Sequence, residues 1–403
     1  MISFTEPVYI TSPLFPDLDH FQSKLQEIWD SKWLANCGHQ HELLEDKLKE
    51  VLNVPFISLF NNGTIALIVA IQSLRLSGEV ITTPFSFAAT PHVLSWNGIK
   101  PIFCDIDPVT MNIDANKIES MITADTTAIL ATHIYGTPCD IKKIQQVADC
   151  YGLKVIYDAA HAFGVKLNGV DIGTFGDISM FSFHATKLFH TAEGGALTYN
   201  DPNLKTRIDL LKNFGIKNEE EVMMPGINGK MNEIQAALGL VMLEYVEEER
   251  RKRQQIIDTY HNCLRDVEGI ILPEEMQGVE NRQQYFVIRI KEDAFGVSRD
   301  EVYSKFKEYN VFARKYFYPL CSNYPCYHQI TSASVENLPV ANSIAQEVLC
   351  LPLHGRLELD SVNRICEMLK SFKGTPSTIM ASRIAKIAER ILQRTEEKVA
   401  ASI

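Results

Sequence analysis

At 403 residues the chain is too long for one small domain, and two domains around a large core are the natural expectation. Its 46% hydrophobic and 22% charged residues suit an ordinary folded protein, and a net charge of −11 with no strongly basic region argues against a nucleic-acid binder. No apolar stretch approaches the ~20 residues that cross a bilayer, and Met1–Pro7 lacks a basic start followed by an apolar run, so a cytoplasmic protein without membrane association is expected.

From residue 55 to about 200, short apolar runs alternate with helical patterns, which reads as βαβ units and a largely parallel sheet. The expected strands are Pro55–Phe60, Val80–Thr83, Pro101–Cys104, Ala128–His133, Lys154–Tyr157 and Asp177–Phe183. Between the first strand and the helical run Ile65–Leu74 stands Asn62-Gly63-Thr64. A strand, a glycine turn and a helix start offer free backbone amides to an anion such as phosphate. A Walker-type loop is excluded, because no Gly-Lys-Ser/Thr follows a glycine at the required gap.

Asp140 is placed to cap a helix whose apolar face is Ile141, Ile144, Val147, Ala148 and Tyr151, with Gly152 at its C-terminal cap. The run Lys154–Tyr157 suits a strand buried on both faces and puts Asp158 at its C-terminal end, the edge where open parallel sheets bind ligands. A carboxylate buried there needs a partner, such as a protonated ring nitrogen, a helix N-terminus or an arginine. The next strand ends in Ser182-Phe-His184-Ala-Thr-Lys187, followed by Glu193-Gly194-Gly195. A single lysine is ordinarily a solvated surface group. One set beside an apolar strand, two hydroxyls and glycines is a candidate nucleophile for Schiff-base chemistry.

Met231, Ile234, Leu238, Val241 and Tyr245 fall at helical spacing, predicting one long helix after Asn228 that runs into Glu247–Arg253. Each glutamate in that run has a basic partner four residues on, the pattern of a solvated helix face. A smaller domain is expected to begin here, with boundaries 1–245, 246–373 and a helical extension 374–403. Within it Tyr285–Ile290 reads as a strand and Asp300–Tyr309 as a helix. Cys321 and Cys326 lack a second His or Cys pair, so no metal site is expected. The nine scattered cysteines fit reduced thiols. Met380, Ile384, Ile387 and Ile391 form one helical stripe in the extension, suited to packing on the body or on a partner subunit.

These motifs in this order resemble the DegT/StrS-type sugar aminotransferases, a branch of the fold type I enzymes that use pyridoxal 5′-phosphate (PLP). The resemblance runs from about Tyr9 to Leu369. It is carried by Phe60–Leu67, Thr83–Thr90, Phe103–Asp107, His133–Gly136, Asp158–His161, Ser182–Lys187, Gly226–Gly239 and Leu351–His354. It implies an α/β fold: a large domain with a mostly parallel seven-stranded sheet flanked by helices, and a smaller α+β C-terminal domain.

By the same resemblance Lys187 holds PLP as an imine and moves the proton, while Asp158 keeps the pyridine nitrogen protonated so that the ring accepts electrons. Phe87 matches the aromatic that stacks on the ring. Gly63 and Thr64 amides with the Ser182 hydroxyl match the phosphate grip. Asn228 matches a residue that reaches the phosphate from a neighbouring subunit, implying a homodimer with shared sites. His161 stands where the family commonly has a glutamine on the ring oxygen, and a neutral imidazole makes the same bond. Lys230 replaces a frequent arginine among the substrate contacts, and Arg314 and Tyr316, within Ala313–Leu320, are expected to border the sugar nucleotide. His184 is expected to be structural rather than a general base.

Relatives that remove a sugar hydroxyl carry histidine where this chain has Lys187, so amination is favoured. The implied reaction moves nitrogen from L-glutamate to a nucleotide-linked keto-deoxysugar, with dTDP-4-keto-6-deoxy-glucose as the leading acceptor. Amination at C3, a PLP dehydratase or ring-forming amino-acid synthase, and a non-catalytic regulator are the competing readings.

Overall fold

Seven strands form where the β-branched and apolar runs fall: β1 (Phe56–Phe60), β2 (Glu79–Thr82), β3 (Lys100–Phe103), β4 (Thr126–Thr132), β5 (Lys154–Asp158), β6 (Ile178–Ser182) and β7 (Gly195–Tyr199). They make one sheet in the order β1-β7-β6-β5-β4-β2-β3, seen in a computed structural model that describes residues 2–375 and 380. The five strands β2 to β6 pair in parallel, and β7 is antiparallel to both β1 and β6. The expected strands match to within one or two residues at each end. β7 was not among the expected strands, although the Gly194-Gly195 turn signal stands directly before its run.

Alternation along each strand explains the double burial. Val155 and Tyr157 join the core on one face with Ile129, Ala131 and Phe181, while Ile156 joins the other with Leu130, Ile178 and Met180. Helices cover both faces. The helix α1 (Gly63–Ser73) packs on one, and α2 (Ile141–Tyr151) presents Ile141, Ile144, Val147 and Ala148 to the other. Asp140 accepts the Lys143 N–H at 3.0 Å and Gly152 closes α2 at φ +67°, as the sequence predicts.

The single long helix expected after Asn228 is instead two: α3 (Glu233–Leu243) and α4 (Val246–Leu264). Asn232 and Gln235 form a reciprocal capping box, so α3 starts there and Met231 lies outside it. At the other end Glu244 and Tyr245 donate to Val241 and Met242, three residues back, which tightens the turn and breaks the run.

The charged stretch on α4 also departs from the expected solvated face. Arg251 pairs with Glu248 in solvent, but the side chains of Glu249 and Arg253 are only 4% and 2% exposed and pair at 2.7 Å. Arg250 turns inward too and donates to the Phe163 carbonyl at 2.9 Å.

Beyond α4, β8 (Ile270–Ile271), β9 (Phe286–Ile290) and β10 (Val348–Leu351) form an antiparallel sheet in that order. Phe286, Ile288 and Ile290 face a core shared with Tyr260, Leu264 and Ile365. Tyr285 and Val287 face the opposite way, into a cluster with Phe85, Phe103 and Tyr135 from the large-sheet region. Among the described residues, no helix is long and apolar enough to cross a membrane. Apart from Met380, the expected terminal stripe lies outside the described residues.

Candidate active site

Strands β5 and β6 lie side by side in parallel, with Asp158 opposite Met180. Their C-terminal ends therefore open on the same edge of the sheet, and a cavity of about 590 Å³ lies there. Asp158, His161, Ser182 and Lys187 line it together with Gly63, Thr64, Phe87 and Tyr316. Eight of the eleven residues expected at the site thus meet in one place.

Asp158 is buried, and two donors hold it. The Thr90 hydroxyl donates to Oδ2 at 2.7 Å and the Ala160 N–H to Oδ1 at 3.1 Å. Burial raises its pKa above the usual carboxylate range, while those two bonds and the charge of Lys187 pull the other way. Burial likewise lowers the Lys187 amine to about 8, with Asp158 opposing. A buried acid and a buried base thus share one cavity, each moved toward neutrality.

His161 is buried beneath the aromatic wall of the cavity. Its ring lies nearly parallel to Phe317 (5.8 Å, 10°) and edge-on to Tyr285 (5.0 Å, 87°). Burial, reinforced by Lys187, keeps the imidazole pKa well below its ordinary value, so the ring is neutral.

At the other end of the cavity, α1 begins at Gly63, and Asn62 accepts the Ile65 N–H at 2.9 Å. Helix geometry leaves the Gly63 and Thr64 amides without intrahelical acceptors. A Cβ on Gly63 would lie 3.2 Å from that of Ser182, so the glycine lets the helix start approach the strand carrying the hydroxyl. Three donor groups from two elements, the Gly63 and Thr64 amides of α1 and the Ser182 hydroxyl of β6, converge there to make an anion cradle.

Asn228, Lys230 and Arg314 do not join them within the single chain. Asn228 is exposed and bridges Asn213. Lys230 contacts the Asn213 side chain and stands over the Phe214 ring at 5.3 Å, in a separate cavity with His41 and Asp209. Arg314 is exposed and pairs through its backbone with Cys350. His184 sits at the rim; its Nδ1 bonds the Thr186 hydroxyl at 2.8 Å, and its Nε2 is 3.5 Å from Glu193.

Thr132 and Tyr285, given no role from sequence, complete the wall, with Thr90 behind Asp158 and Tyr135 behind His161; Phe317, from the stretch Ala313–Leu320 expected to border the pocket, lines it too. Thr90 and Tyr135 stood within strings already singled out, Thr83–Thr90 and His133–Gly136, so a signal existed. Tyr285 had none, because it arrives from the small sheet.

The model of the DegT/DnrJ/EryC1/StrS aminotransferase family matches residues 17–370. The chain belongs to this family. Over 361 residues it is 50% identical to a dTDP-4-amino-4,6-dideoxy-D-glucose transaminase of Escherichia coli, covering 89% of this chain and 97% of that one. A Shigella dysenteriae protein of the same name is 46% identical over 369 residues, 91% of this chain and 100% of the relative. Among solved structures, DesI in the presence of its TDP-sugar product superposes with a TM-score of 0.89 at 32% identity, over 96% of this chain and 97% of that one. The α/β architecture, with its mostly parallel sheet, is therefore that of a sugar aminotransferase.

Proposed function

We propose that this protein moves the amino group of L-glutamate, through PLP, to the keto carbon of dTDP-4-keto-6-deoxy-glucose, giving dTDP-4-amino-4,6-dideoxy-glucose for polysaccharide synthesis. The observation that carries the reading is the meeting of Lys187 and Asp158 in one cavity at adjacent strand ends. The 50% identity to a transaminase of that product supports the sugar.

The residues present fit PLP. The buried Asp158 carboxylate calls for a cationic partner such as a protonated pyridine nitrogen. The amides of Gly63 and Thr64 and the Ser182 hydroxyl suit its phosphate, and Lys187 suits its aldehyde. Bound there, PLP supplies an electron sink for the pair left when a proton leaves the carbon bearing nitrogen.

Everything else falls to the chain. Lys187 would hold the cofactor through its aldehyde and, as a free amine, would move the proton between the carbon bearing nitrogen and the cofactor carbon. Asp158 holds the ring-nitrogen proton, and Thr90 and Ala160 keep the carboxylate aimed. His161 donates to the ring oxygen, Phe87 covers the ring face and excludes water, and Tyr316 borders the sugar. Asn228, Lys230 and Arg314, remote from the cavity of their own chain, fit a homodimer in which each subunit completes its partner's site. The break at Glu244–Tyr245 supports dividing the chain at 245, and a cytoplasmic location suits the substrates.

Purified protein with PLP, ¹⁵N-labelled glutamate and the keto sugar tests the reaction. The expected product carries ¹⁵N at C4 of the sugar. Hydroxyl loss without nitrogen transfer, nitrogen at C3, or failure of borohydride to fix PLP to Lys187 overturns it.

A further inference from the structure

Asn112 is 1% exposed and does not line the cavity, yet its side chain holds the turn beside His161. Its Oδ1 accepts the Ile134 N–H at 2.9 Å, and its Nδ2 donates to the Thr137 and Pro138 carbonyls at 3.0 and 2.9 Å. Those bonds bracket Tyr135, whose backbone is left-handed (φ 55°, ψ 18°). A tyrosine pays of order 1 kcal/mol or more for that conformation, so the surrounding contacts must hold it there.

The conformation has one visible consequence: it turns the Tyr135 N–H onto Nδ1 of His161, at 3.3 Å. A ring nitrogen that accepts a hydrogen bond carries no proton, so a neutral imidazole in that contact has its proton on Nε2. The ring cannot easily turn over to exchange the two nitrogens. Phe317 lies along its face, Tyr285 meets it edge-on, and Tyr135 itself is tied through its phenol to the Tyr316 carbonyl.

We infer that Asn112 is a positioning residue for the cofactor-dependent step: by clamping the Tyr135 amide against Nδ1, it makes His161 an Nε2–H donor to the cofactor's ring oxygen. The inference rests on the PLP reading above. It also answers a question the family's usual glutamine does not raise. A carboxamide has a donor built in, whereas an imidazole offers one only if its tautomer is set.

The test labels the full-length protein with ¹⁵N-histidine and compares wild type with Asn112→Asp, with and without PLP. Aspartate still accepts the Ile134 N–H but faces two carbonyls without a proton to give. His161→Gln identifies the His161 signal among the 11 histidines. In wild type His161 is expected as the Nε2–H tautomer. In Asn112→Asp it becomes a mixture, the visible band of the PLP-loaded protein shifts, and kcat falls about tenfold. KM for the keto sugar stays within about twofold, since substrate contacts are untouched.

An Nδ1–H tautomer in wild type overturns the inference, as does an Asn112→Asp protein with unchanged tautomer and band. If Asn112→Asp does not fold, the wild-type tautomer still decides. Failure of the PLP reading shows separately, as absent borohydride labelling of Lys187, because the tautomer is also measured on cofactor-free protein.

Discussion

Gly195 on β7 and Gly63 at the start of α1 approach so closely that a Cβ on Gly195 would lie 2.7 Å from the Gly63 amide nitrogen. The glycine that follows Gly194 is thus a spacer for the helix start proposed to bind phosphate. Gly195→Ala must push α1 outward. The expected cost is about 1–3 kcal/mol in chemical denaturation, with PLP retention weakened roughly tenfold. Unchanged PLP retention would show that the helix start is not where the phosphate sits.

Lys187 gives a second prediction. Burial lowers its amine to about 8, and only the unprotonated amine attacks an aldehyde. In cofactor-free protein the rate of PLP attachment should rise with pH through about 8 and level off above it. A rate still climbing near pH ~10, as for an ordinary lysine, refutes the burial argument.

Asp171 tests electrostatics away from the site. It is buried, its Oδ2 has no hydrogen-bond partner, and burial raises its pKa to about 6 against the Gly173 N–H at 3.1 Å. The folded state therefore binds this proton more tightly than the unfolded state, so the contribution of Asp171 to stability falls as pH rises from about 4 to about 6. Asp171→Asn removes the buried charge. It should stabilise the protein by about 1–2 kcal/mol at pH ~7, with the gain vanishing near pH ~4. Urea denaturation at both values measures it, and a destabilised variant at neutral pH contradicts it.

The buried pair Glu249–Arg253 should behave oppositely. Glu249 also accepts the Gly355 N–H at 2.9 Å, and Arg253 donates to the Gln283 carbonyl at 3.3 Å. Arg253→Met strands a buried carboxylate and should cost about 3–5 kcal/mol. Adding Glu249→Leu should recover part of that loss, and a double-mutant cycle in denaturant reads the coupling.

Local chemistry, acting over a few residues, settled much of this protein in the sequence alone. Apolar runs placed the six strands β1 to β6, Asp140 and Gly152 bounded α2, and Asp158 and Ser182–Lys187 were marked as strand-end chemistry before any coordinates. Such features were legible because strand burial, capping and turn geometry each depend on neighbours in the chain. What only the tertiary structure decided involves partners far apart in sequence. Thr90 reaches Asp158 across 68 positions, and Tyr285 and Phe317 come from the far side of α4 to wall in His161. The burial of Arg253, which reads as solvated by charge pattern, depends on Gln283 and on Gly355 beside its partner Glu249. No local period encodes those meetings: Thr90 meets Asp158 because the segment after β2 and the end of β5 emerge on one edge of the same parallel sheet, and Tyr285 and Phe317 arrive because the small sheet packs its second face against the large-sheet region.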